Sequence, residues 1–108
     1  MAKTIMVVDD SSSMRQMINF TLVAAGHFVV EAQDGADALA KRGAQKVDLF
    51  ITDLNMPNMD GIQLTRRLRA DAAYRFTPIV LLTTEFGTYS MISTVMSAVD
   101  FSISVDSI

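Results

Sequence analysis

Ile5-Met6-Val7-Val8-Asp9-Asp10-Ser11-Ser12-Ser13 is the stretch that decides the fold. Four consecutive apolar residues are too few for a buried helix and do not alternate with polar ones. They read as a short parallel strand covered on both faces. Two carboxylates end the strand, and three serines follow, each of a type that caps helices. Ser13 and Gln16 have the spacing of a capping box. Met14, Met17, Ile18, Thr21, Leu22 and Ala25 then recur at helical spacing, and Gly26 stands where a helix should stop. The unit is strand, acidic turn, helix.

The same unit repeats downstream. Phe28-Val29-Val30 reads as a second strand, and Asp34-Gly35 turns into a short helix through Ala36, Leu39 and Ala40. Leu49 to Thr52 form a third strand closing on Asp53. A loop from Asn55 to Gly61 follows, and Asp60 with Gln63 caps a helix through Ile62, Leu64 and Leu68. Ile79 to Leu82 form a fourth strand, ending at Thr83-Thr84-Glu85. Four βα units with short connections imply a doubly wound α/β fold with a parallel sheet and right-handed crossovers, in one domain spanning 1–108. The tail has a different pattern. Tyr89 to Val99 can coil with Ile92, Val95, Met96 and Val99 on one face, whereas Phe101 to Asp106 alternate like a strand buried on one side.

Composition narrows the function. Half of the residues are hydrophobic and 19% are charged, below the usual quarter or so, so some apolar surface is expected to meet a partner. No apolar run reaches the roughly 18 residues of a membrane span, and the first strand begins without a leader. With no cysteine, disulfides and thiolate metal sites are excluded and a cytoplasmic location is expected. Residues 1–75 hold all nine basic residues and nine of the twelve acidic ones, while residues 76–108 hold only Glu85, Asp100 and Asp106. Arg66, Arg67 and Arg69 read as a solvated helix face, too little for a nucleic-acid binder.

In an open α/β sheet, ligands bind beyond the carboxyl ends of the strands. Those ends carry Asp9 and Asp10, Asp53, and Thr83. A single aspartate in such a place is most simply a helix cap, as Asp10 and Asp60 could be. Three together, with a threonine beside them, are better explained by a cation that relieves their repulsion. Oxygen donors without His or Cys point to Mg²⁺.

Residues 1–85 resemble the receiver domain of two-component response regulators, in particular chemotaxis-type single-domain receivers. The resemblance rests on Val7-Val8-Asp9-Asp10-Ser11, on Asp53-Leu54-Asn55-Met56-Pro57-Asn58-Met59-Asp60-Gly61, and on Leu82-Thr83-Thr84-Glu85. It implies a flavodoxin-like sheet of order 2-1-3-4-5. It also implies that Asp53 takes a phosphoryl group from a histidine kinase or phosphotransfer protein. Asp10 and Asp53 would bind Mg²⁺ directly, Asp9 mainly through water, and Asn55 through its backbone carbonyl. Thr83 and Thr84 would bind the phosphoryl group and move with it, Asn55 and Glu85 side chains would tune dephosphorylation, and Pro57 and Gly61 would shape the loop. Such a protein is a switch, not an enzyme. An aspartate-nucleophile phosphatase wants a second acid two positions on, and Asp53-Leu54-Asn55 lacks it.

Residues 86–108 depart from the pattern. Receivers carry a lysine at the end of strand five, but the last lysine here is Lys46 and the last base Arg75. The matching place falls near Val105, between Ser104 and Asp106, and the family's switch aromatic falls near Ser102. The final helix is expected to be missing. Impaired output follows, with a chimeric or engineered scaffold without signalling activity as the alternative. Without a final helix, the side of the sheet bearing the first helix would be bare. A homodimer around Met14 and Met17 is therefore expected, with the tail open to exchange.

Overall fold

The computed structural model describes residues 2–83 and 94–101. Its elements are β1 (Thr4–Val8), α1 (Ser12–Ala24), β2 (Phe28–Ala32), α2 (Gly35–Lys41), β3 (Leu49–Asp53), α3 (Gly61–Arg69), a 3₁₀ turn (Ala72–Tyr74) and β4 (Ile79–Leu82). A further helix covers residues 94–101. The strands pair in parallel in the order β2-β1-β3-β4. This is the doubly wound sheet that the sequence implies. Glu85, Thr84 and the remainder of the expected fifth strand lie outside the described residues.

Alternation along each strand sends side chains to opposite faces. Ile5, Val7, Leu49 and Ile51 face α1, packing with Ile18 and Leu22. Met6, Val8 and Phe50 face the other way, against Ala38, Leu64, Leu68 and Tyr74. Both β1 and β3 are therefore buried on both sides, which is why their polar residues are confined to Thr4 at the start of β1 and Thr52-Asp53 at the end of β3.

Local chemistry explains the helix ends. Asp34 caps α2 by accepting the Asp37 N–H, and Asp60 and Gln63 form the full capping box on α3. For α1 the expectation needs correction: the cap is Ser11, which accepts the Met14 N–H, and Ser13 lies within the first turn. Neither Ser13 nor Asp10 caps it. The turn closes early, the Arg15 N–H reaching the Ser11 carbonyl at 3.0 Å. At the other end Gly26 takes φ +93°, and the His27 and Gly26 N–H groups reach back to Leu22 and Val23. That is the paired-bond helix stop glycine permits.

The tail corrects two expectations. Phe101, expected to open a strand, is helical and exposed. Within that helix Val95 and Val99 are buried in the same cluster as Ile18 and Leu22, with Met96 packed against it. A helix therefore does cover the α1 side of the sheet, and that face is not left bare for a second copy as expected. The apolar spacing at Val95, Met96 and Val99 matches the face that this helix packs into the core.

Candidate functional site

The site follows from register. Val8 pairs with Thr52, and Asp53 pairs with Leu82. The residues after Val8 therefore emerge level with Asp53, and Thr83 emerges just beyond it. Asp9, Asp10 and Asp53 each offer a carboxylate oxygen, all within 4.8 Å of one another. Asp9 and Asp53 are buried, while Asp10 is open to solvent.

Backbone donors hold the two buried carboxylates. The Ser11 N–H donates to Asp9 Oδ1 at 2.8 Å and the Asn55 N–H to Asp53 Oδ1 at 3.3 Å. These bonds do not offset burial. Asp9 is pushed up to about 6, chiefly by desolvation, with Asp53 and Asp10 adding repulsion and Arg15 opposing it. Asp53 is also raised, first by burial and then by the charge of Asp10. Two such charges near 5 Å apart repel by about 3 kcal/mol at an effective dielectric of about 20. A divalent cation removes that cost, and an all-oxygen donor set suits a hard one.

The loop after β3 is shaped by close approaches. The Leu54 N–H donates to the Leu82 carbonyl and the Gly61 N–H to the Leu54 carbonyl. A Cβ on Gly61 would lie 2.5 Å from the Asp53 carbonyl oxygen, so this position requires glycine. Asn58 takes φ 70°, a left-handed conformation asparagine tolerates. Met56 is buried against the α3 side of the core, pinning the loop from beneath, while Pro57 and Asn55 are exposed.

Thr83 carries the feature most telling for ligand chemistry. Its Oγ1 is buried with no hydrogen-bond partner among the described residues. Buried hydroxyls are rarely left so, and this one stands at the carboxyl end of β4, the strand paired with β3.

Arg15 escaped the sequence reading. Its Nη1 donates to the Asp9 carbonyl at 2.6 Å and its Nε lies 3.3 Å from Glu31 Oε1. Glu31 also accepts from Asn19 Nδ2 at 2.7 Å. The available signal was Glu31 itself, a charged residue within the otherwise apolar β2.

Three comparisons bear on this geometry. The response regulator receiver domain family matches residues 5–102, past residue 85 where the sequence motifs end. The chain is 41% identical over 100 residues to the chemotaxis protein CheY homolog of Campylobacter jejuni, covering 89% of this chain and 75% of that protein. Chemotaxis protein CheY1 of Helicobacter pylori is 39% identical over 98 residues, covering 89% of this chain and 79% of that one. Among solved structures, chemotaxis protein CheY4 of Vibrio cholerae superposes with a TM-score of 0.76 at 42% identity, covering 84% of this chain and 76% of that one.

Proposed function

This chain belongs to the response regulator receiver domain family and is CheY-like, and from that membership we propose that it is a phosphoacceptor switch of chemotactic signalling, modified on Asp53. The observation that carries the assignment is the cluster of three carboxylates, with Thr83, whose buried hydroxyl has no partner among the described residues, one residue past the strand partner of Asp53. One set of groups calls for a cation and the other for an acceptor oxygen, and a phosphorylated aspartate with its metal satisfies both.

Receiver domains bind Mg²⁺ at such a cluster. Here Asp10, Asp53 and the Asn55 backbone carbonyl would hold the ion directly, with Asp9 acting mainly through water. Bound there, it neutralises charge on the carboxylate and on the incoming phosphoryl oxygens. Asp53 is held at the strand end with Oδ1 already occupied by the Asn55 N–H, so Oδ2 is the attacking atom. As the Oδ2–P bond forms, the P–N bond of the donor phosphohistidine breaks, and the departing imidazole takes a proton from solvent. The donor is a histidine kinase or phosphotransfer protein.

The phosphoryl group carries about −1.5 to −2 of charge on three acceptor oxygens where the ionised carboxylate carried a single charge. Thr83 donates its hydroxyl to one of them, relieving a buried unsatisfied group worth about 1–3 kcal/mol; Thr84 shares this role. Asn55 and Glu85 side chains tune the attack of water, and Pro57 and Gly61 keep the loop close to Asp53. The protein acts once per phosphorylation and is not a turnover enzyme. Among the described residues no helix is long and apolar enough to cross a membrane, consistent with the cytoplasmic work of the family. Val105 stands near the family's lysine position, so on this reading the phosphoryl group lacks its usual cationic partner and output is impaired. The extent of the family match does not favour an unrelated scaffold.

Incubation with acetyl phosphate and Mg²⁺, followed by intact-mass measurement, tests the assignment. A slow, incomplete adduct is expected, absent without Mg²⁺ and absent in Asp53→Asn. An adduct of equal yield in Asp53→Asn overturns it.

A further inference from the structure

The geometry points to Arg15 as a positioning residue that sets the metal affinity of the acidic site, an inference that rests on the Mg²⁺ reading above. Asp9 is tied on three sides. Its N–H donates to the Ala32 carbonyl at 3.1 Å, its carbonyl accepts from Arg15 Nη1 at 2.6 Å, and its Oδ1 accepts from the Ser11 N–H. The first bond belongs to strand pairing and the third to a local turn. Only the second reaches across from a side chain, and it fixes the plane of the peptide that leads into Asp10.

That guanidinium is itself fixed. Arg15 and Asn19 stand four residues apart on one face of α1, and both converge on Glu31 of β2, through Nε at 3.3 Å and Nδ2 at 2.7 Å. Arg15 is mostly buried, with 18% of its side chain exposed. The arrangement is a relay: Asn19 orients Glu31, Glu31 orients Arg15, and Arg15 holds the Asp9–Asp10 peptide. A planar, forked guanidinium is needed to serve a carbonyl and a carboxylate together. Partners of this kind, one layer behind the ligands, govern metal affinity by holding the ligands in place.

Charge and position make opposite demands, which makes the inference testable. Arg15 is a cation beside a cation site, so its charge alone should weaken Mg²⁺ binding and its removal should tighten it. If positioning dominates, removal weakens binding instead. Mg²⁺ is titrated calorimetrically into the wild type, Arg15→Gln, Arg15→Lys, Glu31→Gln and Asp10→Ala, at a temperature where circular dichroism shows each variant folded. Arg15→Gln should bind roughly tenfold more weakly, and Arg15→Lys should recover only part of the loss. Glu31→Gln should fall in the same direction by less, and it decides the matter if Arg15→Gln does not fold. Unchanged or tighter binding in the Arg15→Gln and Glu31→Gln variants, with binding lost in Asp10→Ala, overturns this inference alone. A wild type that binds no Mg²⁺ overturns the reading of the site and this inference with it.

Discussion

Asp9 illustrates how a functional residue is costly to fold. Its carboxyl titrates at about 6 in the folded chain, against 3.8 for the free group. The folded state therefore binds the proton more tightly than the unfolded one. The stability this confers is fully present below about pH 4 and is lost as pH rises through 6, up to about 3 kcal/mol. His27 works in the opposite direction. Burial holds its imidazole below the ordinary 6.5, with Lys3 adding to that and Asp100 opposing it. Its Nδ1 accepts the Lys3 N–H at 3.0 Å, a bond that needs the neutral ring. Its stabilisation is complete above pH 6.5 and declines below it. Urea titrations of the wild type and Asp9→Asn across pH 4–7, without Mg²⁺, separate the two, because the variant keeps His27. The wild type should lose stability relative to Asp9→Asn as pH rises, and millimolar Mg²⁺ should remove the difference; parallel curves would mean Asp9 is not strained. Gly61→Ala should cost about 1–3 kcal/mol by overpacking. It should also slow phosphorylation, since the new Cβ displaces the Asp53 carbonyl. Normal stability and rate would show that the loop yields without disturbing the site.

At the scale of elements, helix ends carry much of the specification. The capping box of α3 places its first turn directly behind the Asp53 loop. Asp60→Ala should cost about 1 kcal/mol in chemical denaturation, and no loss would mean the Gln63 N–H finds another partner. The helix over residues 94–101 is held by packing. Val95 and Val99 are buried against Ile18 and Leu22, so Val99→Ala should cost roughly 1–3 kcal/mol. Exposed Phe101→Ala should leave stability within about 0.5 kcal/mol. Equal effects from the two substitutions would contradict the docking of this helix on the α1 side.

For the molecule as a whole, the sheet gathers Asp9, Asp10 and Asp53 at the carboxyl ends of its two central strands and buries two apolar layers behind them. With the α1 side covered by residues 94–101, a second copy is not required there. Light scattering coupled to size exclusion at tens of micromolar should give a monomer. A dimer dispersed by Met17→Lys would restore the interface that the sequence suggested. Of the other large exposed apolar side chains, Phe20 and Val23 share α1, Phe28 opens β2 and Phe76 lies in the turn before β4. Single exposed apolar residues of this kind are ordinary.

What the sequence determined by itself was everything governed by local rules. Continuous apolar runs named β1 and β3, because a doubly covered strand has no polar face to show. Asp34, Asp60 and Gly26 named helix ends through bonds spanning only a few residues. The carboxylates at strand ends named the site, because a parallel sheet always aligns those ends. One local choice stayed open in the sequence: Ser11, Ser12 and Ser13 can all cap, and the Met14 N–H bonds Ser11. Tertiary structure decided what depends on contacts far apart in the chain. Arg15 joined the site because Glu31, sixteen residues away, lies on the strand paired with β1. Val95 and Val99 went to the α1 side although their spacing fits any apolar face. Periodicity tells a helix which of its sides to bury, but only the packed sheet decides against what.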